Sequence, residues 1–186
     1  MFRALIAIAT MLLCIGASIS IHAQQQGGVS AEHPTIFAPD DENRGFKDAA
    51  PPSDLVLDAL LNSAEAKDTE TREVLAKYDR ESSRKLFQVV RVDISDTNEE
   101  NYIALGSGPM TGADNSWFWI VRTNQGKAQV LLFTNGLTVR ILHRKTNGYR
   151  DIEEVWGGNV GIITRLYRYN GSGYTQVSKR FEKAKP

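Results

Sequence analysis

The chain has 186 residues, 41% of them hydrophobic and 24% charged, which suits one globular domain and accommodates two only with difficulty. Its 22 lysines and arginines balance 22 aspartates and glutamates, interspersed through the second half, so the basic excess that nucleic acid or an anionic membrane surface calls for is missing. The single cysteine, Cys14, lies in the N-terminal apolar run, and once that run is removed no thiol is left for a disulfide, a nucleophile or a metal.

Met1-Phe2-Arg3 carries a positive charge, residues 4–15 are almost wholly apolar, and residues 18–23 turn small and polar. This is the three-part pattern of a secretory signal peptide over residues 1–23. The apolar run is too short to span a ~30 Å hydrocarbon core. Cleavage is expected after Ala23, with Ser20 as the alternative, and Leu13 before Cys14 is too large for a lipoprotein cleavage site. The mature chain is expected in the periplasm or outside the cell, without a transmembrane helix.

Residues 24–52 hold Gln24-Gln25-Gln26-Gly27-Gly28, the acidic Asp40-Asp41-Glu42 and Ala49-Ala50-Pro51-Pro52, with no apolar periodicity. They read as a disordered linker, Ile36-Phe37 being its one apolar spot. Residues 53–186 read as a single α+β domain, with a helical lead-in over 53–80 and a β-rich core over 86–181. Pro52-Ser53-Asp54 is a helix start, with a hydroxyl for the free amides and an acid in the first turn. Leu57, Leu60, Leu61 and Ala64 then repeat at helical spacing. A second, more polar segment follows a break near Asp68-Thr69, with Val74, Leu75 and Tyr78 as its buried side. Such faces gain stability by packing on a core, so one or two helices are expected to dock on a sheet.

From Leu86 the period changes to two. Strands are expected over residues 86–94, 102–105, 117–122, 129–133, 139–142, 152–156, 162–169 and 174–181. The run Trp117-Phe118-Trp119-Ile120-Val121 is apolar on both faces and therefore central. Asn124-Gln125-Gly126, Asn135-Gly136 and Asn170-Gly171-Ser172-Gly173 read as hairpin turns, and Asn147-Gly148 as a turn before the sixth strand. The fold class is α+β: an antiparallel β-meander of seven or eight strands with one or two N-terminal helices packed on it.

The chemistry-bearing residues are few. His143 is the one histidine of the domain and falls on the inward face at a strand end, as a partly buried structural residue rather than a base, which would also need a partner and a nucleophile. Neither a nucleophile elbow nor a zinc-binding helix motif is present, and the oxygen-rich alternation of a calcium loop is missing, so no metal and no cofactor is expected. The loop from Gly106 to Asp114 has three glycines, Gly106, Gly108 and Gly112, and Asp114 with Asn115 offers polar contacts beside Trp117 and Trp119; a connection with turn chemistry at its ends is the favoured reading. Asp151 and Glu153 share one side of a strand and Glu154 the other, and a pair on one strand is more often solvated surface than a glycosidase dyad. Tyr167 and Tyr169 share a face with Arg165, a candidate exposed patch for a sugar or protein partner.

Three stretches belong together: Gly108 to Trp119, Arg144 to Ile152 with its Thr146-Asn147-Gly148-Tyr149-Arg150-Asp151-Ile152, and Tyr167 to Tyr174 with its Tyr-x-Tyr-Asn-Gly turn. In combination they resemble a family of small exported bacterial proteins of uncharacterised function, over about Leu55 to Phe181. The resemblance implies an exported single domain and brings no catalytic residues. The expected function is a non-enzymatic binding or interaction module of the cell envelope, with a protein or a glycan as partner. The rival readings are a hydrolase using carboxylates such as Asp114 and Asp151, and an inhibitor of an envelope-degrading enzyme.

Overall fold

Eight strands lie where alternation places them, and a ninth lies inside the expected linker. The structure, a computed structural model, describes residues 34–39, 46, 48–63, 69–111 and 115–184, so the expected signal peptide falls outside the described residues. Strand β1 is Thr35–Phe37, β2 Phe87–Val92, β3 Glu100–Gly106, β4 Ser116–Asn124, β5 Lys127–Gly136, β6 Thr138–Thr146, β7 Tyr149–Gly158, β8 Gly161–Tyr169 and β9 Tyr174–Lys183. Among the described residues no helix is long and apolar enough to cross a membrane.

The strands form two antiparallel sheets, a four-stranded one in the order β2-β3-β4-β5 and a five-stranded one in the order β1-β6-β7-β8-β9. This corrects the single meander. Asn135-Gly136 does not close a hairpin; the chain leaves the smaller sheet there and enters the larger one. The reason lies in β4. Trp117, Trp119 and Val121 on one of its faces join a core with Val56, Leu57 and Leu60, whereas Phe118 and Ile120 on the other join Ile141, Tyr149 and Ile152 of the larger sheet. A strand apolar on both faces needs cover on both. The helices supply one layer and the larger sheet supplies the other.

The helices are short: α1 Asp54–Asn62, α2 Thr69–Leu75 and α3 Arg80–Arg84. Ser53 caps α1 as expected, accepting from the Val56 amide at 3.4 Å. Arg84 reaches back to Asp54 at 2.6 Å and ties α3 to the start of α1. Tyr78 is exposed rather than buried, because α2 ends at Leu75 and the helical spacing that would have carried it inward stops there.

The disordered linker is corrected for its described part. Thr35, Ile36 and Phe37 pair with Ile141, Arg140 and Val139, and Phe37 is buried in the core between the sheets. Phe46 packs edge-on against Phe37 at 5.5 Å, and Ala50 exchanges two backbone hydrogen bonds with Val89. Two apolar residues were enough to add an edge strand. Asn124-Gln125-Gly126 and Asn170-Gly171-Ser172-Gly173 close hairpins as expected, and the turn at Asn147-Gly148 closes one too; Gln125 and Gly126, like Asn147 and Gly148, take the positive φ pair that a tight right-twisted turn requires.

At the corner between the sheets, a Cβ on Gly136 would lie 2.6 Å from the Val155 carbonyl and 2.8 Å from Glu154 Oε1. Gly136→Ala is therefore expected to lower stability by about 1–3 kcal/mol. Thermal unfolding checks this, and an unchanged melting temperature would show that the corner has room to spare.

Candidate functional site

Arg165, Tyr167 and Tyr169 do share a face of β8, but that face points into the molecule. Arg165 Nη1 donates to both carboxylate oxygens of Glu154, at 2.9 and 2.7 Å, and Glu154 is completely buried. The Tyr167 hydroxyl lies 3.3 Å from Thr134 Oγ1 of the facing sheet. Tyr169 is buried, stacked on Tyr149 at 4.0 Å and set edge-on to Tyr174 at 5.8 Å. The exposed patch is thus corrected to an inner wall. Alternation correctly groups the three residues but says nothing of which side a second sheet will cover.

Asp114 lies outside the described residues. Asn115 stands at the start of β4, and its buried Oδ1 has no hydrogen-bond partner among the described residues. His143 is exposed, not partly buried, because the β6–β7 register slips between Ile141 and Lys145 and carries it out of the alternation. Its Nδ1 lies 3.3 Å from Arg150 Nη1, at a cavity of about 230 Å³ also lined by Phe37, Val92 and Ile141.

The carboxylates of β7 are not solvated surface. Asp151 is completely buried, accepting from Thr146 Oγ1 at 2.7 Å and neutralised by Arg144 at 3.1 Å and Arg168 at 3.3 Å. Glu153 pairs with Arg140 across the sheet at 2.8 Å. Asp151 and Glu154 are an odd number of residues apart on one strand and so face opposite ways. Asp151 lies beneath two guanidinium groups, those of Arg144 and Arg168. Among the described residues, no three histidine, cysteine or acidic side chains come together as a metal site would require.

A polar network seals one end of the inter-sheet core. Arg122 donates to the hydroxyls of Tyr149 and Tyr169 at 3.2 and 3.1 Å and to Gln129 at 2.8 Å, and Tyr149 donates its hydroxyl proton to Glu99. That hydrogen bond, with smaller help from Thr97, Arg122 and Asn124, holds the Glu99 carboxyl below its ordinary range. Burial first, and the hydrogen bond to Glu99 second, pushes the Tyr149 phenol up. A polar cavity of about 240 Å³ opens beside the network, between Glu99, Arg122, Lys127 and Gln129. Every member of the network is matched to another, which is the character of a structural plug.

Bare apolar surface gathers elsewhere, at the far end of the larger sheet. Val160 is 66% exposed, Phe181 55% and Ile162 45% around the turn before β8, and Val177, midway along β9, is 48% exposed. Exposed Leu137 adjoins them, lying across Gly157, whose cross-strand partner is Ile162. On the inner face, Trp156, Ile163 and Phe181 stand side by side across three strands. Sequence reading missed this corner because β9 alternates poorly. The available signal was two large apolar residues, Val177 and Phe181, isolated in an otherwise polar terminal strand. Compared with known protein families, with curated proteins and with solved structures, the chain matches none.

Glu154 is raised above an ordinary carboxyl because burial opposes its charge, while Arg165 and then Thr134 pull the other way. A raised folded value means that the folded state holds the proton more tightly, so ionising Glu154 withdraws stability as pH rises through the carboxylate range. Arg165→Met strands the charge and is expected to cost about 3 kcal/mol near pH 7. The cost should shrink as pH falls from 7 and the carboxyl, held above its ordinary range, takes up a proton, and urea unfolding at neutral and at acidic pH reads it. An equal loss at both would show that packing, not charge, is what Arg165 supplies.

Proposed function

We propose that the protein is exported, with cleavage after Ala23, and acts in the cell envelope as a non-enzymatic binding module whose contact surface is the corner formed by β7, β8 and β9. The observation that carries this reading is the set of exposed large apolar side chains around that corner, Val160 in the turn, Ile162 with Leu137 on the outer face and Phe181 on the inner face, with Val177 further along β9. Single exposed apolar residues are ordinary on a protein surface, whereas several gathered about one sheet end mark a contact site. Its flanks are charged, with Lys179, Arg180, Glu182 and Lys183 along β9, as the rim of a protein contact is. Inhibition of an envelope-degrading enzyme is one form that such binding takes.

The partner is a protein rather than a glycan. Sugar sites set aromatic rings beside convergent polar groups. Here the stacked tyrosines are buried in the plug, and the corner is largely aliphatic.

The test is retention of an envelope protein by the full-length mature chain at moderate salt, compared with the double variant Ile162→Glu, Phe181→Glu. Both positions are exposed, so the variant is expected to unfold within about 1 kcal/mol of the parent. The partner should be lost by roughly tenfold or more, as for the centre of a contact. A partner held equally by the folded double variant would remove this corner from consideration.

A further inference from the structure

We infer that the segment this corner binds is an extended stretch of another protein that adds to the free edge of β9 as a further strand of the larger sheet, and that it carries an acidic and an apolar residue two positions apart. The inference rests on the reading of the corner as a protein contact and names what that contact takes.

The edges of the two sheets are not equivalent. The larger sheet ends at one side in β1, only 3 residues long, and at the other in β9, which has 10. In the smaller sheet the edge of β2 is engaged by Ala50, and β5 lies against the β8–β9 turn, where Gly173 approaches the Leu131 carbonyl and Gln129 donates to the Ser172 carbonyl. Among the described residues, strand β9 alone is an edge that is long and exposed along nearly its whole length. Ala184 donates its amide to the Val160 carbonyl, so the even-numbered residues from 180 face β8 and the amides and carbonyls of Lys179, Phe181 and Lys183 turn outward. A row of unpaired backbone groups is a template for another strand.

The side chains say what that strand carries. Directly paired residues share a face, and the inner face shows two rows across β7, β8 and β9. Trp156, Ile163 and Phe181 form an apolar row that ends bare at the edge. Glu154, Arg165 and Lys179 form an ionic row with one anion and two cations, and it ends on a lysine. Continuing both rows by one strand calls for an apolar residue beside Phe181 and an acid beside Lys179, two positions apart on the incoming chain. On the outer face Arg180 is already paired with Glu182 at 3.0 Å. Three cations against one anion along β9 also oppose a second copy of the same strand, so the charge that admits an acidic segment discourages self-pairing.

The experiment selects random-sequence peptides of the length of β9, displayed on phage, against the immobilised full-length mature protein. The enriched peptides should carry the acid-x-apolar pattern. Their binding should fall roughly tenfold or more with Lys179→Glu, and on binding the amides of Lys179, Phe181 and Lys183 should gain protection from hydrogen exchange. Peptides that need Phe181 but bind Lys179→Glu equally well, or leave those amides exchanging freely, overturn strand addition while leaving the corner a protein contact. Peptides indifferent to both Phe181→Glu and Lys179→Glu overturn the corner itself. Enrichment of no peptide, or protection of the same amides by dimerisation of the chain alone, also overturns the inference.

Discussion

Trp117, Trp119 and Val121 alternate along β4 with Phe118 and Ile120, and all five are buried. A strand of this composition is stable only when apolar material lies against both its faces. One flat meander has a single core face to offer, so the chain must fold over itself. The passage from β5 to β6 through Gly136 is where it does so, at a point with no room for a side chain beside Val155 and Glu154. Layer order, the inward turn of β8 and the cover over Tyr149 and Tyr169 all follow from that requirement.

Packing also takes charged groups out of water, Glu154 between the sheets and Asp151 on the opposite face of β7, and the fold answers each of them. Glu154 is held by Arg165, Asp151 by Arg144 and Arg168, and Glu99 by Tyr149 and Arg122. A buried charge is tolerated only when it is paired and hydrogen-bonded. The two glutamates sit on opposite sides of the ordinary range. Glu99 has more help from donors than burial takes away, whereas burial wins at Glu154. Acidification therefore weakens the plug around Glu99 while relieving the inter-sheet pair at Glu154.

Much of this was legible in the residues. The apolar alternation places eight strands, Ser53 caps its helix, and the paired turn residues at Gln125-Gly126 and Asn147-Gly148 close their hairpins. The errors have a common source. Periodicity identifies the residues that share a face, and the face that is covered depends on the partner sheet. Alternation therefore groups Arg165, Tyr167 and Tyr169 correctly but leaves them on the wrong side, and it reads Asp151 as a solvated acid although arginines from neighbouring strands roof it. Strand β1 was missed because three residues are too few to show a period. His143 was misplaced by a register slip that no local pattern announces.

Arg165, Tyr169 and Asp151 are engaged by neighbouring groups, and among the described residues the end of β7, β8 and β9 leaves aliphatic side chains and a backbone edge bare. That the edge of β9 is open in the free protein is the central claim. Hydrogen exchange of the full-length mature protein, resolved at single amides and without any partner, tests it most directly. The account predicts slow exchange at Arg180 and Glu182, whose backbones face β8, and fast exchange at Lys179, Phe181 and Lys183, which face away. Equal protection of both sets would mean that the edge is already covered, and the account would fail there.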